Sequence, residues 1–150
     1  MTLIRSIPET PLSSEMETYE QAKAFQTNLI WKKLDEITLE MALSHWLSTL
    51  NLRTQINYRS GMRKLIEFGL INPLMSLRAF SLTNHETVID RIKLIQNWAE
   101  SSRQSRAACY ISFTGFLERR LQGVVKKALP NKDGTAKTFF KTSDKVKTVS

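Results

Sequence analysis

Apolar side chains recur three or four residues apart over most of this chain, the spacing of helices that bury one side. Leu39, Ala42, Leu43, Trp46, Leu47 and Leu50 make one wide stripe, with Thr38 placed to cap its helix. A second stripe, Tyr58, Met62, Leu65, Ile66 and Phe68, predicts a helix from about Leu52 to Phe68, with Asn51 as N-cap and Gly69 as the stop. Asn72-Pro73 then forces a turn before a short segment from Leu74 to Phe80. Thr83 and Glu86 read as a capping box ahead of Val88, Ile89, Ile92, Ile95 and Trp98. A longer helix is predicted from Ser102 to about Leu121, with Tyr110, Phe113, Phe116, Leu117 and Leu121 facing inward and Gly123 ending it. Upstream, Ser14 and Glu17 form another capping box for a helix over Glu15 to Glu36. Its apolar side holds Ala22, Phe25, Leu29 and Leu34, and residues 1–13 are expected to be disordered.

These elements predict an all-α fold: a small bundle of four to five helices, with an extra N-terminal helix and a basic C-terminal linker. The expected division is an N-terminal extension over 1–37, a helical domain over 38–123 and a linker over 124–150. Composition agrees, because glycine (5) and proline (4) are scarce in 150 residues and 41% are hydrophobic. After Gly123 come Lys126, Lys127, a break at Pro130 and Asn131-Lys-Asp-Gly134, a linker pattern.

Charge changes the picture more than composition does. The net charge is +8, and it is unevenly spread. Residues 1–37 hold four Lys/Arg against six Asp/Glu, residues 38–122 eleven against six, and residues 123–150 seven against two. A basic surplus in the predicted bundle and tail points to nucleic acid as partner, with an anionic membrane surface as the weaker alternative. No apolar run approaches the ~20 residues of a membrane span, and no apolar stretch of a signal peptide follows Arg5. One cysteine, Cys109, allows no disulfide framework and implies a reducing, cytoplasmic compartment. One cysteine with two histidines, His45 and His85, argues against a structural zinc site. No Gly-rich phosphate loop, paired carboxylates or nucleophile–base order stands out, so neither a cofactor nor a catalytic residue is expected.

The candidate chemistry is binding chemistry. Asn51-Leu-Arg-Thr54 and Ser102-Arg-Gln-Ser105 look like matching helix openings, each with a cap, a basic residue and a hydroxyl. Free N–H groups at a helix start, joined by an arginine and a hydroxyl, can clamp a phosphate; they can equally be simple capping. Arg53, Asn57, Ser60 and Lys64 make one polar stripe, and Arg59 and Arg63 a ridge beside it, with Glu67 as the acidic member. Arginine suits guanine and asparagine suits adenine in a major groove, although such a face can also be merely solvated. The candidate DNA-binding set is Arg53, Thr54, Asn57, Arg59, Arg63, Lys64, Arg103, Gln104, Ser105, Arg106, Lys126, Lys127 and Lys137. Ser105, Ala108, Ser112, Gly115 and Arg119 form a stripe rich in small residues, read first as a helix-packing surface. Cys109, Trp31, Trp46 and Trp98 read as packing residues, His45 as partly buried and His85 as unremarkable.

The order of these motifs resembles a known domain. A Trp46-Leu47 helix precedes Asn51-x-x-Thr54-x-x-x-Tyr58-x-x-x-Met62-x-x-Leu65, and Ser102-x-x-Ser105 leads into Phe113-x-x-Phe116-Leu117. Over residues 38–125 this resembles the core-binding, SAM-like N-terminal domain of tyrosine recombinases of the phage-integrase type. The resemblance implies a helical bundle that covers one side of duplex DNA while a C-terminal catalytic domain closes on the other. Thr54 and Tyr58 match the family's helix-opening threonine and tyrosine, and Ser105 stands where the family has threonine. Ala107, Ala108 and Cys109 depart from the family's arginines. The family's catalytic His-x-x-Arg is not met, since Ser48 follows His45 and Val88 follows His85 at that spacing. Tyr19, Tyr58 and Tyr110 lie in predicted helices rather than at a nucleophile's place. The resemblance therefore implies a chain without the catalytic domain, acting on double-stranded DNA, with self-association through the N-terminal helix as a possibility. A helical protein-interaction adaptor and a helix-turn-helix regulator are the alternatives from the residues alone.

Overall fold

Leu39, Leu65, Ile89, Ile92, Tyr110 and Phe113 are almost wholly withdrawn from solvent, and the helices that carry them are arranged around that centre. The structure, a computed structural model, describes residues 11–128 of the chain. Six helices occupy this span: α1 (Pro11–Glu36), α2 (Leu39–Ser48), α3 (Leu52–Glu67), α4 (Leu77–Ser81), α5 (His85–Lys93) and α6 (Glu100–Ala128). Among the described residues there is no strand; Thr38 and Ser76 make an isolated antiparallel bridge. The fold is a small all-α bundle, as the periodicity predicts.

α6 is the axis of the bundle, with α1, α2, α3 and α5 packed on it. Trp46 of α2 stacks on Tyr58 of α3 at 5.3 Å between ring centres and tilts onto Phe113 of α6 at 5.1 Å. Three helices are thereby joined through one indole. Phe80 of α4 meets His85 edge-on at 4.7 Å. His85 is buried, and its Nδ1 lies 2.6 Å from the Tyr110 hydroxyl. This buried pair tethers α5 to α6, so His85 is a core residue rather than an unremarkable one. His45, expected to be partly buried, is exposed, with its ring 6.0 Å from Phe116.

Several helix starts differ from expectation. α1 is already helical at Pro11, the first described residue, so residues 11–13 are helical and Ser14 lies inside the helix rather than at its cap. Asn84, not Thr83, caps α5, its Oδ1 accepting the Thr87 N–H at 3.1 Å. α5 stops at Lys93, so Ile95 and Trp98 reach the core from the connection to α6. α6 begins at Glu100 and passes through Gly123 to Ala128; one interior glycine costs a helix only about 1 kcal/mol. Gly69, by contrast, does end α3, at φ 74°, where a side chain would be strained.

Among the described side chains of α1, only those of its last turns are packed. Leu34 is buried and Ile30 and Trp31 are half-buried, whereas Phe25 and Leu29, expected on the inner side, are exposed. The junction is firmly held. The Leu39 N–H donates to Met75 O and the Leu77 N–H to Ile37 O, each at 2.8 Å. The Ser76 hydroxyl caps α4 and reaches Asp35 at 3.1 Å, and the Arg78 guanidinium lies over Trp31.

Candidate nucleic-acid interface

α3 is held between α2 and α6 and turns one long side outward. Asn51 starts it as the sequence predicts, with Oδ1 accepting the Thr54 N–H at 2.9 Å. Met62 and Leu65 are buried against the core. That phase leaves Arg53, Asn57, Arg59, Ser60 and Arg63 exposed together. Thr54 is half-buried beside the cap. Lys64 is half-buried too, and its ammonium lies 3.3 Å from Glu67 Oε1, so part of its charge is answered within the helix.

Two grooves flank the ridge. Towards α6, Asn57, Tyr58, Ser60 and Gly61 face Ser101, Ser102, Ser105 and Arg106 across a polar cleft of about 490 Å³. Towards α2, Arg59 and Arg63 rim a cleft of about 460 Å³, floored by Leu43, Leu47, Met62 and Ile66, with Glu40 opposite. The helices can close on the polar cleft because Gly61 has no side chain: a Cβ there would stand 3.3 Å from Cys109 Sγ. Cys109 Sγ itself reaches the Tyr58 carbonyl at 3.6 Å. Burial pushes this thiol up to about 12, which keeps it protonated and inert. Cys109 is a packing residue, as expected.

The opening of α6 is built differently from that of α3. Ala99 stands at the cap position, its carbonyl accepting the Arg103 N–H at 3.0 Å, so Ser102 and Ser105 lie inside the helix. The paired-openings reading therefore fails for α6, although its serines do reach the ridge. Arg103 is held by the Ile95 carbonyl at 2.9 Å, and Arg106 lies 4.3 Å from the Trp98 ring centre. Both arginines thus bind the turn before α6, and Arg106 keeps a place in the cleft wall. Gln104 is exposed on the outer side of the same turns. Lys126 and Lys127 fall in the last turns of α6, where side chains lie outside the described residues, as Lys137 does entirely. The structure thus brings Asn57, Ser105 and Arg106 into one cleft and puts Arg53, Arg59 and Arg63 on the ridge beside it. It adds Ser101, and it places Ser102 in the cleft wall from inside the helix rather than from its cap. Among the described residues no three His, Cys, Asp or Glu gather as metal ligands, and no helix is long and apolar enough to cross a membrane.

Fold and site define a class: an all-helical module whose outer helix presents arginines and amides beside a polar cleft. Comparison with known proteins is more specific. Over 144 residues the chain is 38% identical to the virulence plasmid integrase pGP8-D of Chlamydia muridarum, a match that covers 93% of this chain and 44% of the relative. It is 42% identical over 120 residues to the virulence plasmid integrase pGP7-D of Chlamydia trachomatis serovar L2, covering 76% of this chain and 39% of that protein. The chain is thus homologous to these integrases over most of its length and spans less than half of theirs. No family model and no solved structure matches it.

Proposed function

We propose that this chain is the DNA-binding module of a tyrosine-recombinase-type integrase. The observation that carries the reading is the α3 ridge, where Arg53, Arg59 and Arg63 share an exposed face with Asn57 and Ser60. Ridge and cleft divide the work. The outer side of α3 enters the major groove, and the polar cleft with Arg106 receives the flanking phosphates. α2 and α3, joined through Thr49–Asn51, form the helix–turn–helix-like pair of this surface. In this reading the residues here hold double-stranded DNA in the bacterial cytoplasm and need no cofactor. The strand-exchange chemistry that the relatives' name implies falls to groups elsewhere in an integrase. The exposed Tyr19, Phe25 and Leu29 of α1 favour a second role, contact between copies on DNA.

The test is a titration of the chain into a fluorescent random-sequence duplex, followed by anisotropy from low to physiological salt. The expected result is affinity that falls linearly in log salt, with Arg53→Ala and Arg63→Ala each lowering the slope by about one. Absence of salt-dependent binding would contradict the reading.

A further inference from the structure

The face of α3 that carries the arginines also carries two apolar side chains that the fold does not use. Leu52 is 71% exposed and Ile56 60% exposed. They are four residues apart, and Arg59 and Arg63 continue the same stripe at spacings of three and four. Arg53, Asn57 and Ser60 lie alongside. Leu74, Leu82 and Leu94 are also exposed, but each stands alone in a turn or at a helix end. Ile56 is within the helix, bracketed by polar and basic residues, where a side chain serving solubility alone would be polar.

We propose that Ile56, with Leu52 behind it, reads the 5-methyl group of thymine, and that Asn57 pairs with an adenine edge, so that the site prefers A·T pairs at the centre of the ridge. The inference rests on the DNA-binding reading above and names what that surface selects. In the major groove thymine presents a methyl group, whereas cytosine presents an amino donor that an aliphatic side chain leaves unsatisfied. An asparagine amide can both accept from adenine N6 and donate to N7. Residues 56 and 57 are about 100° apart on the helix, so the two can address the same or successive base pairs.

The experiment is competition anisotropy with the full chain at fixed salt. It compares an alternating A·T duplex with the same duplex containing uracil in place of thymine, which removes only the methyl groups. Binding to the uracil duplex is expected to be weaker by about fourfold for each methyl contacted. Ile56→Ala, an exposed change checked for folding by circular dichroism, is expected to abolish the difference between the two duplexes. Asn57→Ala is expected to weaken binding to both equally. Equal binding of thymine and uracil duplexes by the unaltered chain overturns the inference and leaves the DNA reading standing. A difference that survives Ile56→Ala also overturns it, because uracil would then act through duplex shape. Failure to bind either duplex overturns both readings.

Discussion

Gly61 sets how closely α3 and α6 approach, and replacing it with alanine tests this directly. Two effects oppose each other. Alanine in place of glycine inside a helix stabilises by about 1 kcal/mol. The new Cβ would lie 3.3 Å from Cys109 Sγ and 3.6 Å from Cys109 Cβ, against the roughly 3.5–4.0 Å of an unstrained apolar contact. Cys109 has nowhere to swing, because it is buried and its thiol is directed at the Tyr58 carbonyl. Overpacking of this kind costs about 1–3 kcal/mol. Gly61→Ala is therefore expected to destabilise by up to about 2 kcal/mol. Cys109→Ala removes the sulfur, at about 1 kcal/mol of lost burial. In that background the remaining contact is ordinary, and Gly61→Ala should stabilise by about 1 kcal/mol. Urea unfolding of the four proteins, followed by far-UV circular dichroism, gives the cycle. The reasoning is refuted if Gly61→Ala has the same sign and size in both backgrounds.

Three further predictions concern pH, capping and charge. Burial raises the Cys109 thiol to about 12 from an ordinary 9.0, and raises the Tyr110 hydroxyl as well. The unfolded chain loses these protons first, so stability should be complete below pH 9 and fall above it, by at most about 1.4 kcal/mol per pH unit for each group. The Cys109 share should end near pH 12, and urea midpoints that stay flat or rise above pH 9 would contradict the burial. Asn51→Ala should cost about 1 kcal/mol by uncapping α3. Asn51→Asp should keep the cap yet weaken duplex binding, because it sets a negative charge beside Arg53; paired melting and anisotropy measurements separate the two effects. Glu67→Gln should change stability by less than about 1 kcal/mol, since its contact with Lys64 is exposed. The same change should tighten duplex binding and steepen its salt dependence, and unchanged binding would place Glu67 and Lys64 outside the contact surface.

What the sequence revealed follows from how local the determining interactions are. The stripes of α2 and α3, the Asn51 cap and the Gly69 stop are set by residues within a few positions of each other. They were readable, and so was the exposure of Arg53, Asn57, Arg59 and Arg63, because a buried phase fixes the opposite one. The start of α6 was not readable. Ala99 has no capping side chain to announce it, and Ser102 resembles a cap without being one. Gly123 resembles a stop, yet the helix passes through it. Thr83 and Asn84 are both good caps, and only the backbone path shows that Asn84 is used. The partners of Arg103, Arg106 and His85 lie in elements that only tertiary packing brings near, so their spacing carries no signal of Ile95, Trp98 or Tyr110. The polar cleft has the same origin: Ser101, Ser102 and Ser105 face Asn57 and Ser60 only because α6 packs against α3, a pairing that no spacing within either segment announces.

The central claim is that the α3 ridge and the α3–α6 cleft are where this chain meets DNA. The most direct test is an amide NMR titration of the labelled chain with a duplex short enough to hold a single copy, so that contacts between copies do not enter. The account predicts that the largest shifts cluster at residues 52–64 and 101–106, with α5 and the upstream half of α1 unmoved. Shifts centred on α1 or α5, with α3 silent, would contradict it.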